Sequence, residues 1–281
     1  MENTQLNLHT HTAICKHATG SVADYCAWAV KSGLKVLGLT EHNPFPDDRL
    51  LATRPSCKEF LTYLEEIEKA REQFPELTIL TSLEVDVDED FPLDFYWEEF
   101  KEKAKLDYMC TGIHFAQNPA NGEYNHIGIN KHFSLEVVRL YTEKTVRLMK
   151  CGLFDFITHP DMVSASIDAY SPEVEKCFRK IIETSIETCT PLEFNAYGFR
   201  KKMCQYEDGI TRYPYPWEPF WKLAAEYKVP CVVFSDAHKP EDVLGNVPEM
   251  IRYAEELGLP CINAFVGEKI LRNCGKKIKE S

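Results

Sequence analysis

The sequence predicts an α/β fold, a closed or nearly closed barrel built from seven strand–helix units. Short apolar runs alternate with longer helical segments over the 281 residues, a pattern typical of parallel strands joined by helical crossovers. Candidate metal ligands recur in or just after the ends of these predicted strands, where barrels of this class carry their chemistry. A doubly wound open sheet would draw a site from only two or three strands. Ligands from six strands therefore favour the barrel.

Seven short runs have the apolar and β-branched character of buried strands. They cover residues 5–9, 36–40, 78–84, 108–113, 154–158, 192–195 and 230–235. Six longer segments predict helices at residues 22–32, 58–73, 95–105, 135–150, 172–187 and 219–227. Ser21 and Gly33 are suitable caps for the first helix, and Ser171-Pro172 is a favourable start for the fifth.

We expect residues 1–281 to form one domain. The sequence has no internal repeat, low-complexity tract or Gly/Ser linker, and its candidate ligands lie at both ends of the chain. Residues 118–131, rich in Asn and Gly, predict a long loop near the barrel mouth. Pro214, Pro216 and Pro219 mark a second irregular stretch, and the basic segment 272–279 predicts a solvated tail.

The formal net charge of −12 argues against non-specific binding to nucleic acid or to an anionic membrane, because like charges repel. An acidic protein that handles phosphate needs local positive charge, which bound metal ions could supply. The sequence leaves the oligomeric state open.

The cysteine pattern and the first residues predict a cytoplasmic protein. Residues 1–8 lack both the basic start and the apolar run of a signal peptide. No stretch approaches the ~18 apolar residues needed to span a bilayer. None of the eleven cysteines is spaced as Cys-x-x-Cys, which favours reduced, mostly buried thiols. Cys15, between His11 and His17, is a weaker candidate metal ligand.

Seven of the nine histidines lie in or just after predicted strand ends. In a strand, residues i and i+2 project from the same face about 6.6 Å apart. His9 and His11 have this spacing at one end of the chain, and Asp236 and His238 repeat it at the other. Imidazole and carboxylate together suit Zn, Fe and Mn. The pattern predicts one polynuclear centre that holds two to three divalent ions.

Glu84 ends an otherwise apolar strand, where an unpaired carboxylate would be costly to bury. As a candidate catalytic residue it would bridge two ions, a common arrangement in two-metal sites. His114 and His159 also follow apolar runs. Several divalent ions among neutral imidazoles and two carboxylates would form a strongly positive centre. Such a centre suits a phosphate dianion better than a neutral carbonyl substrate.

The ordered motifs resemble those of the polymerase-and-histidinol-phosphatase (PHP) superfamily over nearly the whole chain. They are His9-Thr10-His11, His17, Thr40-Glu41-His42, Glu84, Gly112-Ile113-His114, His159-Pro160 and Ser235-Asp236-Ala237-His238. The finer resemblance is to the histidinol-phosphatase branch. It depends on the segments 8–12 and 195–200 and on the chain length.

The resemblance implies a distorted (β/α)7 barrel, TIM-like, with a trinuclear metal site at the C-terminal ends of the strands. The implied ligands are His9, His11, Asp236 and Glu84 for the first ion, Glu84, His114 and His159 for the second, and His17, His42 and His238 for the third. Glu84 and Asp236 are thereby implied as catalytic residues. A hydroxide between the first two ions would attack phosphorus. The third ion, through His42, would help to bind the substrate.

Arg200 is the predicted catalytic and substrate-binding cation, since guanidinium binds phosphate in a bidentate manner. Its spacing fits a surface arginine beside Lys201 and Lys202 equally well, and the family resemblance favours the phosphate-binding role.

The branch pattern has a second basic residue after the fifth-strand histidine, whereas residues 159–165 contain no Arg or Lys. This departure leaves the substrate open. The acidic run 86–90 could attract an amine-bearing substrate or form a solvated loop. Asp161, Glu41 and metal-bound water are the alternatives for the proton donor, and Glu41 could instead orient a ligand imidazole.

The preferred hypothesis is a metal-dependent phosphomonoesterase that hydrolyses the small phosphorylated substrate L-histidinol phosphate. One alternative is a PHP-type phosphoesterase that acts on nucleotides or sugar phosphates. A second is an amidohydrolase-type hydrolase, although many of those sites bridge their metals with a lysine and need no further cluster like His17, His42 and His238. A third is a non-catalytic scaffold, which the full ligand set disfavours.

Overall fold

The computed structural model describes residues 1–117, 124–127, 134–206 and 208–278. In these residues the main sheet has seven parallel strands, and their spatial order follows the chain. The strands are β1 (Leu6–Asn7), β2 (Val36–His42), β3 (Thr78–Val85), β4 (Tyr108–Thr111), β5 (Phe156–Ile157), β6 (Leu192–Glu193) and β7 (Cys231–Val232). The predicted distorted (β/α)7 barrel is confirmed.

The first and last strands meet at a narrow seam. Thr10 and Ala237 form an isolated parallel bridge, and the His11 amide donates to the Ala237 carbonyl at 2.9 Å. At the other end of β7, Cys231 pairs instead with Cys261. A single bridge therefore closes the sheet at the mouth, which explains why the barrel is distorted.

Helices surround the sheet, and the last of them covers one end of the barrel. They are α1 (Val22–Lys31), α2 (Cys57–Gln73), α3 (Leu93–Tyr96), α4 (Leu135–Lys150), α5 (Pro172–Thr188), α6 (Glu218–Glu226), α7 (Val247–Leu257) and α8 (Asn263–Asn273). Ser21 and Ser56 form capping boxes at α1 and α2, and Ser171 caps α5. The predicted helix 95–105 is instead the short α3 followed by a π-helical segment, Trp97–Lys103. The sequence prediction missed α7 and α8.

Two apolar clusters hold these layers together. The larger lies between the sheet and the helices, and the smaller fills the barrel interior. Val36, Leu80 and Phe156 face inward, and α8 adds Val266 and Ile270 to the same interior cluster. A Cβ at Gly267 would lie 2.4 Å from Leu6, so glycine lets α8 approach the barrel closely. The helix thus covers the end opposite the mouth.

Three predicted irregular segments have different outcomes. The predicted loop 118–131 lies mostly outside the described residues. Within it, Tyr124–His126 forms a short strand that pairs antiparallel with Phe115–Gln117, just before the loop. The proline-rich stretch is irregular as predicted, and Tyr215–Pro216 is cis. The described part of the predicted solvated tail is anchored to the barrel, since Lys276 pairs with Asp107 at 2.6 Å and Thr78 donates to the Lys277 carbonyl at 3.1 Å.

Among the helices of the described ranges, none has the length and apolar character required to cross a membrane.

Candidate metal centre

The nine predicted ligands all lie on the carboxyl side of the barrel strands. His9 and His11 follow β1, His42 ends β2, Glu84 lies near the end of β3, and His114 follows β4. Beyond β5 and β7 come His159, Asp236 and His238, and His17 lies on the loop between β1 and α1. Because parallel strands present their carboxyl ends on one edge, residues distant in the chain reach the same pocket.

Glu84 is the centre of the cluster. The side chain is 1% exposed, and both oxygens face imidazoles. Oε1 lies 2.8 Å from His159 Nε2. Oε2 lies 3.3–3.6 Å from a ring nitrogen of each of four further histidines, His9, His11, His42 and His114. One carboxylate therefore contacts five of the predicted ligands.

Asp236 forms a second focus beside the seam. Its Oδ1 lies 3.3 Å from His11 Nε2, 3.6 Å from His9 Nε2 and 3.4 Å from His238 Nδ1. The Asp236 carboxylate thus contacts His9 and His11 from the start of the chain and His238 from near its end.

The described part of the chain contains three groups of three side chains, and within each group the candidate ligand atoms lie within 4.8 Å of one another. They are His9–His11–Glu84, His11–Asp236–His238 and His42–Glu84–His114. These groups divide the residues differently from the implied three-ion assignment. The rings of His17 and His238 are 5.0 Å apart, and those of His17 and His42 are 5.3 Å apart. The assignment of His17, His42 and His238 to one ion stays a prediction.

Several buried polar atoms here have no hydrogen-bond partner in the described part of the chain. They are Nδ1 of His42, Nδ1 of His159 and Oδ1 of Asp236. In addition, Nε2 of His9 and Nε2 of His11 face each other at 3.1 Å. Buried polar atoms normally find partners, and divalent cations bind this donor set. The residues present therefore fit a metal centre.

The electrostatics also suit cations. Burial would raise the pKa of Glu84, but His114, His9 and His159 hold it well below its ordinary value. Burial lowers the pKa of His238 to about 3, which leaves that ring neutral.

Burial alone would lower the pKa of His9, His11 and His114, but the adjacent carboxylates raise it above the ordinary value. A bound metal would displace those protons, because metals bind ionised carboxylate and neutral imidazole.

Backbone conformation directs two of the ligands. His159 has φ of 29° and Asp236 has φ of 47°, both in the left-handed region that L-residues rarely adopt. Such strained positions concentrate at functional sites. At Gly112 a Cβ would lie 2.3 Å from Thr158 Oγ1, 2.6 Å from the His159 ring and 3.1 Å from Glu84 Oε1. The glycine therefore keeps space open at the centre of the cluster.

Three further carboxylates orient the ligand imidazoles. Glu193 Oε1 lies 2.7 Å from His9 Nδ1, and Glu41 Oε1 lies 3.4 Å from His11 Nδ1. Asp86 Oδ2 lies 2.9 Å from His114 Nδ1. A carboxylate on the second ring nitrogen fixes which nitrogen faces a metal.

The sequence predicts this orienting role for Glu41 but not for Glu193, although Glu193 lies within the predicted strand 192–195 and ends β6 in the structure. Asp86 is buried, so the solvated-loop interpretation of that residue is corrected.

A cavity of about 250 Å³ opens beside the cluster. Several predicted ligands form one side of it, among them Glu84, His42 and Asp236. The remaining lining comprises Thr53, Arg54, Phe115, His126, Met162, Tyr197, Lys201 and Tyr215. The candidate centre thus adjoins a pocket that combines aromatic side chains with two cationic ones.

Arg200 is not among the described residues that line this cavity. Its Nη1 donates to the Gly245 carbonyl at 2.7 Å, its Nη2 donates to the Ser235 carbonyl, and its Nε lies 3.5 Å from Asp242. The guanidinium group of Arg200 therefore donates hydrogen bonds to backbone carbonyls, one of them directly before Asp236. The neighbouring Lys201 lines the cavity, and the role of Arg200 as the phosphate-binding cation stays a prediction.

Asp161, one candidate proton donor, also points elsewhere. Its Oδ2 accepts from the Trp217 amide at 2.5 Å and from Trp221 Nε1 at 3.0 Å. The carboxyl is fully buried and does not belong to the described cavity lining. Oδ2 thus anchors the start of α6, whereas Oδ1 has no hydrogen-bond partner in the described part of the chain.

Comparisons with known proteins agree with this arrangement. The PHP domain model matches residues 7–196. The chain belongs to the PHP domain family. Asp236 and His238 lie beyond the matched range, so the last two predicted ligands depend on the barrel geometry rather than on that match.

This PHP protein is 26% identical over 258 residues to a Deinococcus radiodurans protein named "Probable histidinol-phosphatase". That similarity spans 89% of this chain and 92% of the relative. Its fold resembles a candidate histidinol phosphatase from Listeria monocytogenes, with a TM-score of 0.67 and 20% identity over 85% of this chain and 97% of the other.

A histidinol phosphate phosphatase from Lactococcus lactis, solved with Zn, L-histidinol and phosphate, has a TM-score of 0.64 and 16% identity. It covers 89% of this chain and 94% of its own. These structures establish the shared fold.

Proposed function

We propose that this PHP protein is a metal-dependent phosphomonoesterase that hydrolyses L-histidinol phosphate to L-histidinol and phosphate, a step of histidine biosynthesis. The observation that carries the proposal is the convergence of five imidazoles on Glu84 beside a cavity. The names of the relatives support the phosphatase chemistry and the substrate.

The side chains of the cluster would hold two to three ions of Zn, Fe or Mn, with Glu84 shared between them. When bound, such ions lower the pKa of coordinated water to about 7 and offset the charge of phosphoryl oxygens. Asn195 donates to Asp236 Oδ2 at 3.1 Å and to Glu193 Oε2 at 2.8 Å, so it holds both carboxylates in place. Thr158 does the same for Glu84 Oε1 at 2.6 Å.

Lys201 is the candidate phosphate-binding side chain. Its Nζ lies 4.4 Å from the Tyr197 ring centre, and Tyr197 stacks on His238 at 4.5 Å. The ammonium group thereby faces the pocket close to the cluster. A lysine binds phosphate as a point charge rather than through a bidentate fork.

One observation favours a second candidate, a PHP-type phosphoesterase that acts on nucleotides or sugar phosphates. Among the described residues that line the cavity, the carboxylates are Glu84 and Asp236, and both face imidazoles. No described carboxylate is therefore left to pair with the ammonium group of histidinol phosphate. A substrate without that cation would fit these described residues equally well.

Steady-state kinetics on a metal-analysed preparation tests the proposal. We expect kcat/KM for histidinol phosphate to exceed that for AMP and glucose 6-phosphate by at least about tenfold, equivalent to ~1.4 kcal/mol. Exhaustive chelation should abolish turnover, and metal addition should restore it. E84Q should lose metal and activity, whereas E89Q at an exposed surface pair should keep both.

A preference for AMP or the sugar phosphate would select the second candidate. Full activity of metal-free protein would refute metal-dependent phosphatase chemistry altogether.

A further inference from the structure

Arg54 is a buried cation at the edge of the cluster that the proposed reaction does not use directly. It is 1% exposed and lies on the loop between β2 and α2. Its Nη2 donates to Asp86 Oδ2 at 2.8 Å. Its Nη1 contacts the Asn43 carbonyl and side-chain oxygens at 3.1 and 3.2 Å. A side chain with both ends of its guanidinium engaged is rigidly placed.

Asp86 in turn holds His114, a predicted metal ligand, through two contacts. Its Oδ1 accepts from the His114 amide at 3.1 Å, and its Oδ2 lies 2.9 Å from His114 Nδ1. Asn43 Oδ1 also accepts from the Asp86 amide at 2.8 Å. Loops after three consecutive strands, β2, β3 and β4, are therefore joined through one carboxylate. Nε2 of His114 consequently faces Glu84 Oε2, 3.6 Å away.

We infer that Arg54 is a positioning residue, which acts through Asp86 to aim His114 at the ion shared with Glu84 and His42. This inference rests on the proposed metal-dependent function. Asp86 is buried and sits beside the cluster, so without a counter-charge its carboxylate would gain by turning toward the cations. The Arg54 pair offsets that charge and keeps Asp86 as an orienting group for His114. Removal of a partner from a buried ion pair leaves the other charge uncompensated.

The three orienting carboxylates differ in how they are held. Glu193 accepts from Asn195 Nδ2 and from the His159 amide, and Glu41 accepts from the Thr12 amide and hydroxyl. Of these three, Asp86 alone pairs with a guanidinium among the described contacts. Lysine at position 54 would retain the charge but could not reach Asp86 and Asn43 with one planar group. R54Q removes the positive charge beside Asp86, whereas R54K keeps the charge and removes the planar contacts. Comparison of the two therefore separates the effect of the charge from the effect of the geometry.

The test compares wild type, R54Q, R54K and a control, R71Q. Arg71 on α2 pairs with Asp107, which precedes β4, at 3.2 Å and donates to Thr81 on β3. R71Q therefore breaks another arginine–aspartate pair, toward the opposite ends of these strands from the cluster. Each protein is loaded with Zn²⁺ and dialysed against graded chelator, and bound Zn per chain is measured. We expect R54Q to lose one Zn ion at a chelator concentration about 10–100-fold lower than wild type requires. R54K should be intermediate, and R71Q should match wild type.

Kinetics on the loaded proteins give a second measurement. Arg54 lines the cavity, but Asn43 and Asp86 hold both of its Nη atoms, so it acts through His114. We therefore expect R54Q to lower kcat with little change in KM. Retention of Zn by R54Q equal to that of R71Q, with melting temperatures lowered alike, would show a merely structural role and overturn the inference. A raised KM with normal Zn content would also overturn it.

Failure of the proposed function is distinguishable. Wild type that binds Zn but hydrolyses no phosphoester would refute the proposed reaction, while the Zn measurements would still decide the role of Arg54.

Discussion

At the scale of single residues, the imidazoles of the cluster offset the cost of burying two carboxylates. Glu84 and Asp236 are nearly inaccessible to solvent, and a buried carboxylate is costly unless it is paired. Here each contacts several imidazoles, whose ring nitrogens can share cations with it. The same residues would be strongly destabilising at a site without such partners. Their local surroundings thus match a role in metal binding better than a role in packing.

Lys201 provides the sharpest residue-scale prediction about the substrate. K201A should raise KM for the phosphoester about tenfold or more while bound metal stays at the wild-type level, because the ammonium group lines the cavity outside the ligand cluster. The neighbouring, exposed Lys202 is the matched control, and K202A should leave KM unchanged. Equal kinetics for both variants would remove Lys201 from phosphate binding.

Gly112 tests whether the centre needs the space that this residue leaves. In G112A the new methyl group would contact Thr158, the His159 ring and Glu84. We expect at least a tenfold loss of kcat/KM together with reduced metal content, because these side chains must shift. Far-UV circular dichroism checks that the barrel persists. Normal metal content and turnover in a folded G112A would show that the centre does not need the space beside Gly112.

At the scale of elements, helix starts are determined locally and barrel strands are not. Ser21, Ser56 and Ser171 cap their helices through their own side chains. The barrel strands β1, β5, β6 and β7 are only two residues long, so their positions depend on neighbouring strands. Helix stability should therefore respond to single cap substitutions.

The cap of α5 offers a controlled comparison. Ser171 Oγ accepts from the Val174 amide at 3.2 Å, whereas Ser134 at the start of α4 makes no side-chain cap bond. S171A should cost about 1 kcal/mol, a decrease in Tm of roughly 2–4 °C. S134A should cost clearly less in the same calorimetric measurement. Equal decreases would show that the Ser171 bond contributes nothing specific.

Asp155, directly before β5, predicts a pH-dependent stability difference. Burial raises the pKa of Asp155 above its ordinary value of 3.8, although the Met109 amide counteracts this. The folded protein therefore binds that proton more tightly than the unfolded chain, and ionisation weakens folding as pH rises above about 3.8. D155N should gain stability relative to wild type, and more at pH 7.5 than at pH 4.5.

Urea unfolding at the two pH values measures this difference for Asp155. Exposed Asp208 is the control, because D208N should show no such pH-dependent gain. A gain for D155N that is independent of pH would contradict the assigned cause.

At the scale of the whole molecule, the candidate centre joins the two ends of the chain. The seam between β1 and β7 depends on the Thr10–Ala237 bridge and on Asn7, whose side chain contacts Ser235. His11 and Asp236 lie beside that seam. A cation bound there would connect strands that few backbone hydrogen bonds join.

Metal removal should therefore lower global stability. Binding to the folded state alone at a hundredfold excess over Kd contributes about 2.7 kcal/mol, or roughly 5–10 °C in Tm for a protein of this size. Differential scanning calorimetry with chelator and after metal addition measures the change. E84Q supplies the control, since its Tm should not respond to added metal. A wild-type Tm that is insensitive to both treatments would exclude a structural contribution from bound ions.

The sequence alone predicted the barrel, which the structure confirms, and nine candidate ligands, which the structure brings to one edge of the sheet. Each ligand follows an apolar run, and parallel strands align their carboxyl ends, so the chain pattern by itself predicts a shared edge. The tertiary structure decided the contacts that depend on loop paths. These are the pairing of Asp86 with Arg54, the placement of Glu193 beside His9, and the paths that direct Arg200 to backbone carbonyls and Lys201 to the cavity. Long-range loop geometry, including left-handed backbone at His159 and Asp236, determines which side chains meet, and no local pattern encodes it.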